Sequence, residues 1–362
     1  MLTAAQASAN QEILKRFAYQ SLERVFFTTR SHIIVAMQKS VIIDTDPGVD
    51  DTLAILLALL SPELKVEAIT TVNGNVSVEQ ATKNVSLLLD LLDPKPRPIL
   101  ARGAARPLKK RAFRAQSAHG SNGLGDLHRL KNADGSQKYS DPELPKNIPE
   151  ATELVLDLLK RYPDELSLIA LGPLTNLADA LVADEKRLKG LQEVIIMGGA
   201  IGVPGNVTPA AEFNIFVDPH AAHRVFKSGL PVTLVPLDVT QKVCLESKEI
   251  ENLARAMGPP LGVFLSDCIS KAMEHMERLK GVAAIYLHDP LAVGVAIRPS
   301  LVKTTPLSVD VETRRGITQG MTLADLRTIR DDLKQPPNIH VALAVAAKQF
   351  LSLFKERLCP GS

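Results

Sequence analysis

The chain has 362 residues, with 42 Lys and Arg against 40 Asp and Glu and a formal net charge of +2, a balance that excludes a global charge match to nucleic acid or to a membrane surface. Hydrophobic residues make up 45% and aromatic residues only 4%, with no Trp, so the core has to be aliphatic, and no apolar run reaches the ~18 residues of a membrane-spanning helix. Cys244, Cys268 and Cys359 are odd in number and widely spaced, without a CxxC or Cys/His zinc pattern, and read as reduced packing or surface thiols of a cytosol-type protein.

The first 38 residues differ from the rest. Around this segment five basic residues (Lys15, Arg16, Arg24, Arg30 and Lys39) face two acidic ones (Glu12 and Glu23), and Met37 stands just before the first strand. An added arm or a start-codon artefact is the first reading, and a mitochondrial targeting segment the second. The sequence VIIDT at 41–45 is a short apolar run stopped by Pro47-Gly48, which predicts a buried strand ending at a turn. Residues 50–60 then read as a helix, 65–71 as a strand and 78–92 as a helix. Further strands are expected at 166–171, 193–197 and 232–237, with helices at 151–161, 173–182 and 219–228. Alternation of this kind predicts right-handed crossovers. The expected architecture is one α/β domain over residues 39–362, with a mostly parallel (mixed) central sheet covered by helices on both faces. One stretch, 102–149, lacks periodicity and holds His119-Gly120 and the pair Gly123 and Gly125; loops this long are often functional. It opens with six basic residues and no acidic one, of which Phe113 is the one aromatic neighbour. That fits a solvated face better than a nucleic-acid site.

The sharpest signal is DTDPGVDD at 44–51, four carboxylates within eight residues at the end of a buried strand. Residues i and i+2 of a strand share a face, so Asp44 and Asp46 point the same way. Asp50 and Asp51 fall at the start of the next helix, where the dipole favours negative charge, and the carboxyl ends of strands are the binding edge of an open α/β sheet. Four close carboxylates raise one another's pKa. A divalent cation relieves this, and all-oxygen ligands favour Ca²⁺ or Mg²⁺ over Zn²⁺. Capping explains Asp50 alone and amide binding explains Asp44 alone, but neither explains Asp46 and Asp51 together. An aspartate-nucleophile phosphatase also ends its first strand in Asp-x-Asp, but Gly48 stands where that family places Thr or Val.

With TTVNGN at 70–75, HG at 119–120, LGPLTN at 171–176, MGGA at 197–200, GNVTPAAEFN at 205–214, VDP at 217–219 and HDPLAV at 288–293, the sequence resembles the inosine–uridine preferring nucleoside hydrolase family from residue 41 to the C-terminus. The resemblance implies a Rossmann-like nucleoside hydrolase fold, a homo-oligomer (dimer or tetramer) and hydrolysis of the N-glycosidic bond of ribonucleosides. It implies Ca²⁺ held by Asp46, Asp51, the backbone carbonyl of Leu171 and Asp289. Asp50, Asn75, Asn206, Glu212 and Asn214 would hold the ribose hydroxyls. Met197 and Phe213 would line the pocket, His119 and His288 would stand near the base, and Asp44 would lie behind the metal ligands. Alone, Met197 and Phe213 read as core, His119 as a surface histidine, Asn75 and Asn206 as turn residues, and His288-Asp289-Pro290 as a helix start.

The expected reaction passes through a ribosyl cation. Asp46 is the expected general base for water, and His288 the expected acid for the departing base. Many family members that act on purines carry aromatic residues in the helix before HDP; residues 267–282 have none and offer Met273, His275 and Met276, with Tyr286 just before His288. Uridine is therefore expected over purines. The competing classes are a metal-dependent phosphatase and a nonenzymatic nucleoside-binding protein, the latter disfavoured because no expected ligand or base is missing. A cytoplasmic enzyme acting on a small molecule, with neither a nucleic-acid nor a membrane partner, is the expectation.

Overall fold

The first strand, β1 (Lys39–Thr45), alternates between two aliphatic cores: Val41 and Ile43 pack into one and Ile42 into the other. A strand buried on both faces reads as a continuous apolar run, and that is the reason VIIDT is visible in the sequence. The structure is a computed structural model that describes residues 38–109, 113–114 and 119–359. The expected N-terminal arm or targeting segment therefore lies, apart from Gln38, outside the described residues. From Lys39 onward the chain makes one compact unit.

Parallel pairing continues through β2 (Leu64–Thr71), β3 (Ile99–Arg102), β4 (Leu166–Ala170), β5 (Glu193–Met197) and β6 (Val232–Val235). Two short antiparallel pairs lie outside the main sheet, β7 (Cys244–Glu246) with β8 (Ala284–Tyr286), and β10 (Val309–Val311) with β11 (Thr322–Ala324). β9 (Val302–Leu307) pairs antiparallel with β12 (Ile339–Val345), which is itself parallel to β6. The eight-stranded sheet runs β3-β2-β1-β4-β5-β6-β12-β9. The expected mostly parallel, mixed sheet with helices on both faces is what forms. Strand order reverses between β1 and β4, and ligands of open α/β sheets bind beyond such a reversal.

The helices Val78–Leu92 and Ala151–Arg161 and the strand Glu193–Met197 have the expected limits. Ser77 fixes the first of these by accepting from Gln80 N, an N-cap bond. The helix expected at 173–182 instead runs Thr175–Leu188, interrupted at Asp184 (φ −159°, ψ 80°). Asp184 accepts from Arg187 N and so caps a second helical turn, which explains why the apolar period fades at Val182. Within the long stretch 102–149, the turn Leu127–Arg129 is short, and Leu124 and Leu127 are buried in the first core. Among the described residues no helix is long and apolar enough to cross a membrane.

Candidate active site

Asp44 and Thr45 are the last residues of β1, and Asp46 is the first beyond the sheet. Asp46 is fully buried. Its Oδ2 accepts from Asn75 N at 2.5 Å, while Oδ1 has no hydrogen-bond partner. Two glycines make room for this carboxylate. A Cβ at Gly74 would stand 1.9 Å from Oδ2, and one at Gly172 2.6 Å from Oδ1. Asp51, in the first turn of the helix Val49–Leu59, accepts from Thr45 Oγ1 (2.5 Å), Gly48 N (2.8 Å) and Asn75 Nδ2 (3.2 Å). Asp289 opens the helix His288–Ile297, which packs against that first helix. Asp50, Asp51 and Asp289 each turn an oxygen into one cluster, all within 4.8 Å of one another.

Burial, and then the neighbouring carboxylates, pushes Asp46 and Asp289 well above the usual carboxylate range. Asp50 is raised by burial to about 6, and Asp51 moves up by burial and by Asp50 beside it. Behind them Asp44 is raised to about 6 by burial, against the hydrogen bonds that Thr70 Oγ1 (2.5 Å) and Asn176 Nδ2 (2.7 Å) donate to its Oδ1; its Oδ2 has no partner. Buried carboxylates that raise one another, with oxygens lacking donors and, among the described residues, no Lys or Arg ion-paired to them, fit a hard divalent cation held by oxygen.

The residues expected to hold ribose converge on the same strand ends. Glu212 caps the short helix Phe213–Val217, accepting from Gly199 N (3.0 Å), Asn214 N (2.9 Å) and Ile215 N (3.2 Å), and it is buried. Asn214 Nδ2 donates to the carbonyls of Leu171 (2.7 Å) and Met197 (3.1 Å), tying the end of β4 to the end of β5. Asn206 Oδ1 accepts from Phe213 N at 2.9 Å. Phe213 packs on Phe113 from the long loop, centroids 6.1 Å apart, and Phe113 also meets Phe216 edge-on. Met197 is buried at the end of β5.

Both histidines border the aspartates. His119 Nδ1 accepts from Val49 N (3.1 Å) and lies 4.0 Å from Asp50 Oδ1. An occupied Nδ1 acceptor leaves the hydrogen on Nε2 of a neutral ring. His288 Nδ1 meets Thr240 Oγ1 at 2.7 Å, and its ring lies 5.5 Å from that of Tyr286, tilted by 32°. Burial, with Lys280 and His119 nearby, pushes His288 down to about 4. It is therefore a neutral ring near pH 7, below the ordinary value of ~6.5 assumed from sequence.

Several residues of this site were not singled out from sequence. Thr45, Thr70, Asn176 and Thr240 hold Asp51, Asp44 and His288 in place. Asn176 sits within LGPLTN, so the motif flagged its segment but not its partner. Arg114 also donates to Asn73 Oδ1 and to Val76 O, fastening the long loop to the turn after β2.

A sequence model of the family described as inosine-uridine preferring nucleoside hydrolase matches residues 41–352. The pyrimidine-specific ribonucleoside hydrolase RihA of Salmonella arizonae is 38% identical over 323 residues, 89% of this chain and 99% of that protein. The protein of the same name from Shigella boydii is 37% identical over the same length and shares. Among solved structures, a purine-preferring ribonucleoside hydrolase from Gardnerella vaginalis superposes with a TM-score of 0.79 at 34% identity, covering 89% of this chain and 98% of that one.

Proposed function

The chain belongs to the inosine–uridine preferring nucleoside hydrolase family and is a ribonucleoside hydrolase, a glycosidase acting on N-glycosyl compounds; on that premise we propose that residues 39–362 are its catalytic domain, that it uses Ca²⁺, and that pyrimidine ribonucleosides, uridine included, are its preferred substrates. The observation that carries the metal reading is the convergence of Asp50, Asp51 and Asp289 within 4.8 Å beside the unpartnered Oδ1 of Asp46. Asp46, Asp51, Asp289 and the carbonyl of Leu171 would hold the cation. When bound, it would offset the carboxylate charge and lower the pKa of a water within its reach.

Asp46 takes the proton of the attacking water at Oδ1, the oxygen that Asn75 leaves open. Asp50, the least enclosed of the acids, and Asn75, Asn206, Glu212 and Asn214 orient the ribose hydroxyls. Their negative field steadies the sugar cation as the bond to the base lengthens. Holding the sugar at several points removes its rotational freedom before reaction. His288, with Thr240 hydrogen-bonded at Nδ1, donates from Nε2 to the departing base, as a neutral hydrogen-bond donor rather than an imidazolium. His119 contacts the base from the other side, and Met197 and Phe213 line the pocket.

Preference for pyrimidines is supported by the lack of aromatic side chains at 267–282, which removes a stacking surface for a purine, and by the relatives named as pyrimidine-specific. A panel of uridine, cytidine, inosine, adenosine and guanosine, with released base measured for each, tests this. Higher kcat/KM for inosine than for uridine overturns it. A homo-oligomer is part of the same proposal, and a monomer mass by light scattering would remove it.

A further inference from the structure

The loop that carries His119 closes on itself through Asp126. Asp126 Oδ1 accepts from Ser121 N (2.6 Å) and Ser121 Oγ (2.7 Å), its own N donates to Asn122 Oδ1 (2.9 Å), and Gly125 N donates to His119 O (2.9 Å). The second oxygen, Oδ2, is turned outward to Lys271 Nζ on the helix Leu261–Lys280. One turn earlier on that helix, Asp267 Oδ2 accepts from Lys138 Nζ (2.5 Å) and Tyr139 OH (2.7 Å), farther along the same loop. Between these ties the backbones touch. Gly125, at φ +67°, approaches so closely that a Cβ there would stand 2.4 Å from Cys268 O.

Residues four apart share one face of a helix. Asp267, Lys271 and His275 are spaced in that way. The first two are fastened to the His119 loop, and the third is the next side chain along the same stripe, its Nδ1 3.1 Å from Arg278 Nη2. The geometry points to Lys271, paired with Asp126, as a positioning residue for the base end of the site: the clamp seats the helix Leu261–Lys280 on the His119 loop and so sets where His275 stands relative to the departing base. The inference rests on the reading that His119 marks the base end. Lys271 touches neither sugar nor metal ligands, so its loss alters the placement of the base alone. The clamp is not a generic surface pair. Asp126 is 7% exposed and spends its other oxygen on closing the loop, so the carboxylate is fixed before Lys271 reaches it.

The test uses the full-length protein with Lys271→Met, which leaves the loop closure of Asp126 intact, and Lys271→Arg, which keeps the charge. KM and kcat are measured for the best ribonucleoside of the panel, together with the competitive Ki of free ribose and the thermal midpoint. For Lys271→Met, KM should rise roughly five- to fifty-fold, the usual reach of one coupled contact, with ribose Ki unchanged; Lys271→Arg should recover most of it. Wild-type KM in Lys271→Met, or KM and ribose Ki rising together, overturns the clamp. Should Lys271→Met fail to fold, Tyr139→Phe removes one hydroxyl from the same clamp; it should raise KM in the same sense, and an unchanged KM overturns the inference. A wild-type protein inactive on every ribonucleoside would strike the functional reading instead, a separable result.

Discussion

Asp46 has one carboxylate oxygen held by a backbone amide and the other without a donor, a combination that fixes the group while leaving it able to take a proton. Replacing it by Asn keeps the shape and removes the acceptor, and kcat should fall by ~10²–10⁴. Bound calcium is measured alongside; near wild-type turnover in Asp46→Asn would move the base elsewhere. Gly74→Ala asks the same of position rather than chemistry. The added methyl would intrude 1.9 Å from Asp46 Oδ2, and a displacement of the reacting group near 1 Å costs ~10²-fold in rate. Full activity in that variant, with unchanged circular dichroism, would mean that Asp46 tolerates movement. His288→Ala should harm a nucleoside far more than p-nitrophenyl riboside, whose phenolate leaves without help; equal losses on both would mean that His288 positions the sugar. At this scale the four aspartates of DTDPGVDD were legible because like charges in a short motif have few innocent explanations, whereas Asp289, which alone reads as part of a helix start, came only through the resemblance carried by HDPLAV. Thr70 and Asn176 were not, because a residue 26 or 132 positions away from Asp44 carries no local sign of the carboxylate it supports.

Among elements, the helix Leu261–Lys280 is joined to the His119 loop by charge. Burial raises the pKa of Asp126, but the bonds from Lys271 and Ser121 outweigh it and hold the carboxyl well below the usual range. A carboxylate whose folded pKa is depressed contributes stability that is present above its unfolded value of ~3.9 and is lost as pH falls toward the folded value. The thermal midpoint of wild type should therefore exceed that of Lys271→Met above pH ~5 by more than it does below pH ~3. A difference that stays constant across this window would show that the pair contributes no pH-linked stability. Elements were read from sequence where the pattern was strong: β1 and β5 as short continuous apolar runs, the helix Val78–Leu92 by its one buried face. The antiparallel edge formed by β9 and the two small pairs, β7 with β8 and β10 with β11, were not singled out. Strands of three residues take their pairing from what surrounds them.

For the whole molecule, gathering Asp46, Asp50, Asp51 and Asp289 is a cost of the folded state, since folding buries these carboxylates and brings Asp289 onto the other three, while an unfolded chain leaves them in water. A cation that binds only the folded form should raise the unfolding midpoint, by about 2.7 kcal/mol of stability when present at a hundred times its Kd. Chelation should lower the midpoint and abolish base release together, with Ca²⁺ restoring both. A midpoint indifferent to chelator, calcium and magnesium would remove the metal from this cluster.

The strand order reverses between β1 and β4, and the acids that gather above the reversal are far apart in sequence: Asp46 and Asp51 from the turn after the first strand and from the helix that follows it, Asp289 from a helix that comes after six parallel strands. On the ribosome, the early acids emerge long before their partner. An ion shared across that gap would act as a late cross-link, closing a loop that spans most of the domain, and links of long loops remove the most freedom from an unfolded chain. Catalytic competence would then report on synthesis past Asp289: a chain ended before it would keep Asp46, Asp51 and the Leu171 carbonyl but lack the ligand that closes the set.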